Sequence, residues 1–130
     1  MTRIALLGAG RIGQVHARAV SSVPTAKLVT VADPVSKNAK VVQEQYDCDI
    51  RTIDQILLSD DVDGVVICTP TDTHADLIEK FAKAGKAIFC EKPVDLDISR
   101  VQACLTVVQD ENATLMVGFN RRYDPDFQAL

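Results

Sequence analysis

The stretch Ile4-Ala5-Leu6-Leu7-Gly8-Ala9-Gly10-Arg11-Ile12-Gly13 decides how the rest of this chain is read. Four apolar residues in a row suit a strand buried on both faces, and the glycines after it suit a sharp exit. A second apolar run, Leu28-Val29-Thr30-Val31-Ala32, ends at Asp33, twenty residues beyond Gly13. Strand, glycine turn, helix, strand and acid is the order that holds a dinucleotide: the turn and helix start take the pyrophosphate, the acid a ribose. The three glycines have separate tasks. Gly8 allows a tight turn out of the strand, Gly10 lets the backbone approach phosphates, and Gly13 lets the helix pack on the strand. The N–H groups of Arg11 and Ile12, at the positive end of the helix dipole, then face the anion. A glycine turn with no ligand is the competing reading, and Asp33 at this spacing weighs against it.

Asp33 also bears on which dinucleotide is held. A carboxylate accepts hydrogen bonds from the adenosine ribose 2′- and 3′-hydroxyls and repels a 2′-phosphate. Pro34-Val35-Ser36 follow it, with no arginine to receive that phosphate, so the sequence predicts NAD rather than NADP. Asp33 can also simply open the turn at Pro34, and the two roles are compatible.

Composition narrows the class further. A chain of 130 residues, 47% hydrophobic and 25% charged, is long enough for one domain with a respectable core but not for two domains. A net charge of −4 without any basic run argues against nucleic acid or an anionic membrane as partner. No apolar stretch is long enough for a membrane span, and Met1-Thr2-Arg3 leads straight into a strand without a signal-peptide pattern. The expected location is the cytoplasm. Cys48, Cys68, Cys90 and Cys104 lack CxxC spacing. The last three fall in apolar patterns and read as small buried hydrophobes in a reducing compartment, so no metal site is expected.

Strands are predicted near 3–7, 27–32, 49–51, 64–68, 87–90 and 114–118, and helices near 11–22, 36–46, 53–59, 73–84 and 98–110. The pattern puts Ile12, Val15, Ala19 and Val20 on the inward face of the first helix. Leu77, Ile78 and Phe81 face inward from the fourth; Ile98, Val101, Cys104, Leu105 and Val108 do so from the fifth. Thr52 and Gln55 fit a capping box, Gly85 fits a helix C′ position, and Ser59-Asp60-Asp61 reads as a solvated acidic loop. The alternation predicts an α/β fold: a doubly wound parallel sheet of the Rossmann type, six strands with helices on both faces. Residues 1–120 are expected to form the NAD-binding domain. Asp124-Pro125 has the form of an N-cap with proline at N1, so 121–130 are expected to begin the connection to a further C-terminal domain.

In such a sheet, ligands lie beyond the carboxyl ends of the strands. The chemically useful residues all follow predicted strand ends: Gly8–Gly13, Asp33, Thr69-Pro70-Thr71 with His74, Glu91-Lys92-Pro93, and Asn120-Arg121. Lys92 is the catalytic candidate. It can hydrogen-bond a substrate hydroxyl and move its proton, while hydride transfer belongs to the nicotinamide. An exposed lysine in a Lys-Pro turn is the competing reading. His74 reads either as a capping or packing histidine or as a cofactor contact. His16 reads as structural, and Arg121 is favoured over Arg122 for reaching cofactor or substrate.

Gly8–Gly13, Cys68-Thr69-Pro70 with His74, and Glu91-Lys92-Pro93 together resemble the glucose-fructose oxidoreductase/inositol dehydrogenase (Gfo/Idh/MocA) family over essentially the whole chain. The tail Gly118–Pro125 is most similar to its inositol 2-dehydrogenase branch. The resemblance implies an NAD-dependent oxidoreductase that takes a hydride from a polyol or sugar hydroxyl, with myo-inositol the specific expectation. It implies that Lys92 is the catalytic lysine, followed by a cis proline. Glu91 and Thr69–Thr71 would lie along the cofactor, and Asn120-Arg121 near nicotinamide and substrate. Typical members carry a second domain that binds substrate, supplies an aspartate and a histidine, and mediates assembly into dimers or tetramers. This chain alone is then expected to bind NAD without useful turnover. The alternatives are a family member acting on another sugar and, as a different class, a non-catalytic NAD-binding regulatory module; a lysine at the nicotinamide end favours the enzyme.

Overall fold

Six strands, β1 (Thr2–Leu7), β2 (Ala26–Ala32), β3 (Asp49–Ile50), β4 (Gly64–Ile67), β5 (Ala87–Glu91) and β6 (Leu115–Gly118), make one sheet in the order β3-β2-β1-β4-β5-β6. Every pairing is parallel. The computed structural model describes residues 1–119 and 124–128, so Asn120 and Arg121 lie outside the described residues. The helices are α1 (Arg11–Ser21), α2 (Ser36–Tyr46), α3 (Ile53–Leu57), α4 (His74–Lys83), α5 (Ile98–Asp110) and α6 (Pro125–Gln128). Asp124 Oδ1 accepts from the Asp126 N–H at the start of α6, as the Asp-Pro pair predicts. No helix among the described residues is long and apolar enough to cross a membrane.

Side chains alternate across a strand, and here the alternation builds two cores. Leu6, Val31 and Val66 pack with Ala17 of α1 and with Ala39 and Val42 of α2. Ala5, Leu7, Val65 and Ile67 lie in the other cluster with Ile56 of α3, Ile78 and Phe81 of α4, and Cys104 of α5. The doubly wound sheet with helices on both faces is therefore the observed fold. Gly64–Ile67 are all buried, as a central parallel strand requires. The Thr52–Gln55 capping box is present in both directions, and Gly85 stands after α4 at φ +76°.

Three local readings are corrected. The inward residues of α1 are Gly13 and Ala17, with Val20 partly covered, whereas Ile12 and Val15 are 45% and 54% exposed. The cause is a backbone contact. A Cβ on Gly13 would lie 2.0 Å from the Gly8 carbonyl oxygen, so only the small-residue face of α1 can meet the turn. On α5 the buried row is Cys104 and Val108 with Val101 beside them, and Ile98 is 68% exposed and Leu105 40%. Residues 101, 104 and 108 complete a 3.6-period stripe, and 98 and 105 flank it. The acidic loop is not simply solvated. Arg51 donates to both carboxylate oxygens of Asp61 at 2.7 and 2.8 Å and to Ser59 Oγ at 3.1 Å. The buried Lys86 ammonium donates to the Ser59 and Val62 carbonyls at 2.6 and 3.0 Å.

All four cysteines are free. Burial pushes the thiols up, to about 11 for Cys48 and Cys104 and about 12 for Cys68 and Cys90, which keeps them protonated at neutral pH.

The Gly13 contact yields a stability prediction. Gly13→Ala forces backbone apart and should lower unfolding free energy by about 1–3 kcal/mol or more. Urea denaturation checks it, and an unchanged midpoint contradicts the packing described.

Candidate active site

The strand order reverses between β1 and β4, and the segments that leave these two strands nearly touch. Gly8 exits β1 at φ +90°, and a Cβ there would come within 2.6 Å of the Cys68 carbonyl oxygen beyond β4. Only glycine combines that dihedral with that clearance. Gly10 differs. Its φ of −73° suits any residue, and nothing lies within 4 Å of where its Cβ would be. The fold itself therefore makes no demand for glycine at this position, and the backbone there is left open to close approach. Gly10 is also the N-cap of α1, with no side chain to cap it, so the first-turn N–H groups of Arg11 and Ile12 open onto that space.

Asp33 follows β2 and is half-buried. Its Oδ2 accepts from the Ala9 N–H and its Oδ1 from the Val35 N–H, both at 2.7 Å. Of the roles read from the sequence, the turn at Pro34 is present; the grip on the glycine loop through the Ala9 N–H is an additional contact that the sequence reading did not foresee. Each oxygen keeps acceptor capacity for a hydroxyl. Beside it lies a cavity of about 480 Å³ whose lining includes Asp33, Pro34, Ile50, Ile53 and Thr69. That volume and the apolar walls next to a carboxylate suit an adenosine. The sequence reading missed the 50–55 wall. Pairing of β3 with β2 carries it to Asp33, and this neighbour relation is fixed only once strand order is known. Arg51 stabilises the wall through Asp61 and through Asp49 at 2.9 Å. The paired carboxylates hold the Arg51 guanidinium above its ordinary value, and Arg51 holds Asp61 below the usual carboxylate range.

Beyond β4, Thr69 Oγ1 and Thr73 Oγ1 are 2.6 Å apart, and Thr73 Oγ1 donates to the Pro70 carbonyl at 2.6 Å. This closes the single 3-10 turn at Thr71–Thr73 and presents Pro70 and Thr71 at the sheet edge. Beyond β5 comes Glu91-Lys92-Pro93, whose Lys92–Pro93 bond is cis. Lys92 is exposed and, among the described residues, its side chain is unpaired.

His74 has the surroundings of a packing histidine. It is 2% exposed, with Nδ1 2.7 Å from the Pro93 carbonyl oxygen and Nε2 2.7 Å from the Thr69 carbonyl oxygen. Both ring nitrogens face protein carbonyls, and the tautomer decides which of the two carbonyls receives the N–H. His16 was read as structural. Its Nε2 lies 2.5 Å from Glu91 Oε1, and its ring is tilted at 55° on Phe89. One signal for this was available: three residues after Gly13, His16 shares the sheet-facing side of α1.

A glycine turn and an uncapped helix start at the point where a parallel sheet reverses its strand order are the architecture of a dinucleotide-binding domain. The family described as "Oxidoreductase family, NAD-binding Rossmann fold" matches residues 2–119, and this chain belongs to it. The chain is 64% identical over 128 residues to a Rhizobium meliloti (strain 1021) protein named inositol 2-dehydrogenase, covering 98% of this chain and 39% of that protein. The solved structure of a myo-inositol dehydrogenase from Corynebacterium glutamicum superimposes with a TM-score of 0.90 at 45% identity, over 99% of this chain and 39% of that one. A scyllo-inositol dehydrogenase from Lactobacillus casei, solved with NAD(H) and scyllo-inositol bound, gives 0.93 at 28% identity, over 99% of this chain and 39% of that one. The chain thus spans about two fifths of the length of these relatives.

The open space at Gly10 separates binding from folding. Gly10→Val should leave the thermal midpoint in place, because its Cβ meets no protein atom, and should abolish NAD binding in a calorimetric titration. Undiminished binding would remove the phosphate assignment.

Proposed function

We propose that this chain is the NAD-binding part of a dehydrogenase that oxidises a ring CH–OH of an inositol or related polyol, with myo-inositol to its 2-keto product as the specific reaction. The observation that carries this reading is Lys92, unpaired at the sheet edge that also bears the Gly10 space and Asp33, in a chain 64% identical to an inositol 2-dehydrogenase. NAD, when bound, supplies the hydride acceptor. Gly8–Gly13 hold its diphosphate through backbone N–H groups, and Asp33 accepts from the ribose hydroxyls and disfavours a 2′-phosphate. Thr69, Pro70, Thr71 and Glu91 line the run toward the nicotinamide, and Asn120 and Arg121, outside the described residues, are proposed as further cofactor contacts.

The proton is Lys92's task. As the carbinol carbon loses hydride, the hydroxyl proton passes to the Lys92 Nζ lone pair and leaves from there to solvent. The C–H pair thus departs as hydride, the O–H bond breaks to the lysine, and a ketone remains. A regulatory module would need no unpaired lysine at this edge. Residues 1–120 form the NAD domain and 121–130 begin a connection. The remaining length seen in the relatives would bind the polyol, complete the catalytic set and support a homo-oligomer, in the cytoplasm.

Two substitutions test this in the full-length protein. Lys92→Ala should lower turnover with inositol by roughly 10²–10⁴-fold while NAD affinity holds, read from NADH absorbance and from calorimetry. Unchanged turnover removes Lys92 from catalysis. Asp33→Ala should weaken NAD by about tenfold or more and narrow its advantage over NADP, read from parallel titrations of the two nucleotides. Equal losses for both would assign Asp33 to the loop alone.

A further inference from the structure

The chain has two histidines, and each holds a residue adjacent to Lys92. On one side, His16 of α1 meets the Glu91 carboxylate at 2.5 Å, both side chains about one-fifth exposed. The His16 ring is fixed by Phe89 at a centroid distance of 5.1 Å. An added Cβ on Gly118 of β6 would come within 3.4 Å of the Glu91 carboxylate, so the group is enclosed from that side as well. On the other side, the buried His74 ring spans the Pro93 and Thr69 carbonyls at 2.7 Å each.

These contacts reach the two segments that surround the nucleotide site. α1 begins at the diphosphate turn, and the Thr69 segment lines the cavity beside Asp33. Lys92 has no side-chain partner of its own among the described residues, so its neighbours fix where its stem begins. A side chain with four rotatable carbons transfers a proton only within hydrogen-bond reach, and the position of its Cα sets that reach. An apolar residue would fill the His74 site without needing two polar partners.

We propose that His16 and His74 are positioning residues for the proton-transferring lysine. His16 ties Glu91 to the helix that receives the diphosphate, and His74 ties Pro93 to the Thr69 segment, so Lys92 is registered against the bound dinucleotide from both sides. The proposal rests on the reading of Lys92 as the proton-transfer group, and its test keeps the two apart.

The experiment is steady-state kinetics on the full-length protein with inositol and NAD, for His16→Phe, His16→Gln, His74→Phe, His74→Asn and Lys92→Ala. Thermal midpoints and solvent deuterium isotope effects on kcat are measured alongside. The Phe variants should lower kcat by roughly 10²-fold, the scale of an ångström of misplacement, while KM for NAD changes little. The solvent isotope effect should rise, because proton transfer becomes the slow step. His16→Gln keeps a donor for Glu91 and His74→Asn one for the Pro93 carbonyl, so each should recover much of the turnover lost in its Phe counterpart. If a Phe variant does not fold, the isotope effect in the Gln and Asn variants, expected to lie above wild type, decides. Wild-type kcat and isotope effect in the histidine variants, with Lys92→Ala inactive, overturn the proposal and leave the lysine reading intact. Loss of kcat in step with the thermal midpoint, with no isotope change and no recovery, also overturns it. Full turnover in Lys92→Ala overturns the lysine reading itself.

Discussion

The contact between Gly13 and the Gly8 carbonyl governs the geometry of this domain. With no Cβ between them, α1 lies directly on the turn that leaves β1. That contact sets which face of α1 meets the sheet. It also places the N-terminus of the helix over the open space at Gly10 and directs His16 toward the end of β5. The same close fit recurs at Gly8, against the Cys68 carbonyl. Two glycines thus hold three chain segments within van der Waals range at the point where the strand order reverses.

Much of the fold was legible because its signals are local. The helix predicted over 36–46 is found at Ser36–Tyr46; the Thr52 box, the Gly85 turn and the buried Gly64–Ile67 strand follow from residues a few positions apart. What was not legible depends on partners far along the chain. Hydrophobicity alone puts Ile12 and Val15 inward, because it weighs side-chain volume as gain and cannot see that the Gly8 carbonyl leaves no room for a Cβ at position 13. Asp61 looked like part of a solvated run until β3 brought Arg51 beside it. Ile98 and Leu105 flank a stripe whose centre is set by where α5 meets α4, not by their own apolarity.

The site divides in the same way. Its glycines, its acid and its lysine are spelled out in consecutive residues, because backbone chemistry at a helix start requires them there. The cavity wall from Ile50 to Gln55 and the two histidines are assembled only by folding: β3 must pair with β2, and β5 must end beneath α1 and beside α4. Sequence motifs identify the groups that touch a ligand; strand order identifies the groups that hold those in place.

Asp33 has a consequence for any attempt to change coenzyme preference. Its carboxylate serves the loop as well as the ribose role proposed for it, since the Ala9 and Val35 amides donate to its two oxygens. Replacing it with a small or basic residue to welcome a phosphorylated ribose releases both amides at once. A successful redesign therefore needs a compensating acceptor for the Ala9 amide, supplied from elsewhere in the turn, before any new cation is introduced. Selectivity and loop rigidity are coupled through a single side chain, so they have to be re-engineered as a pair.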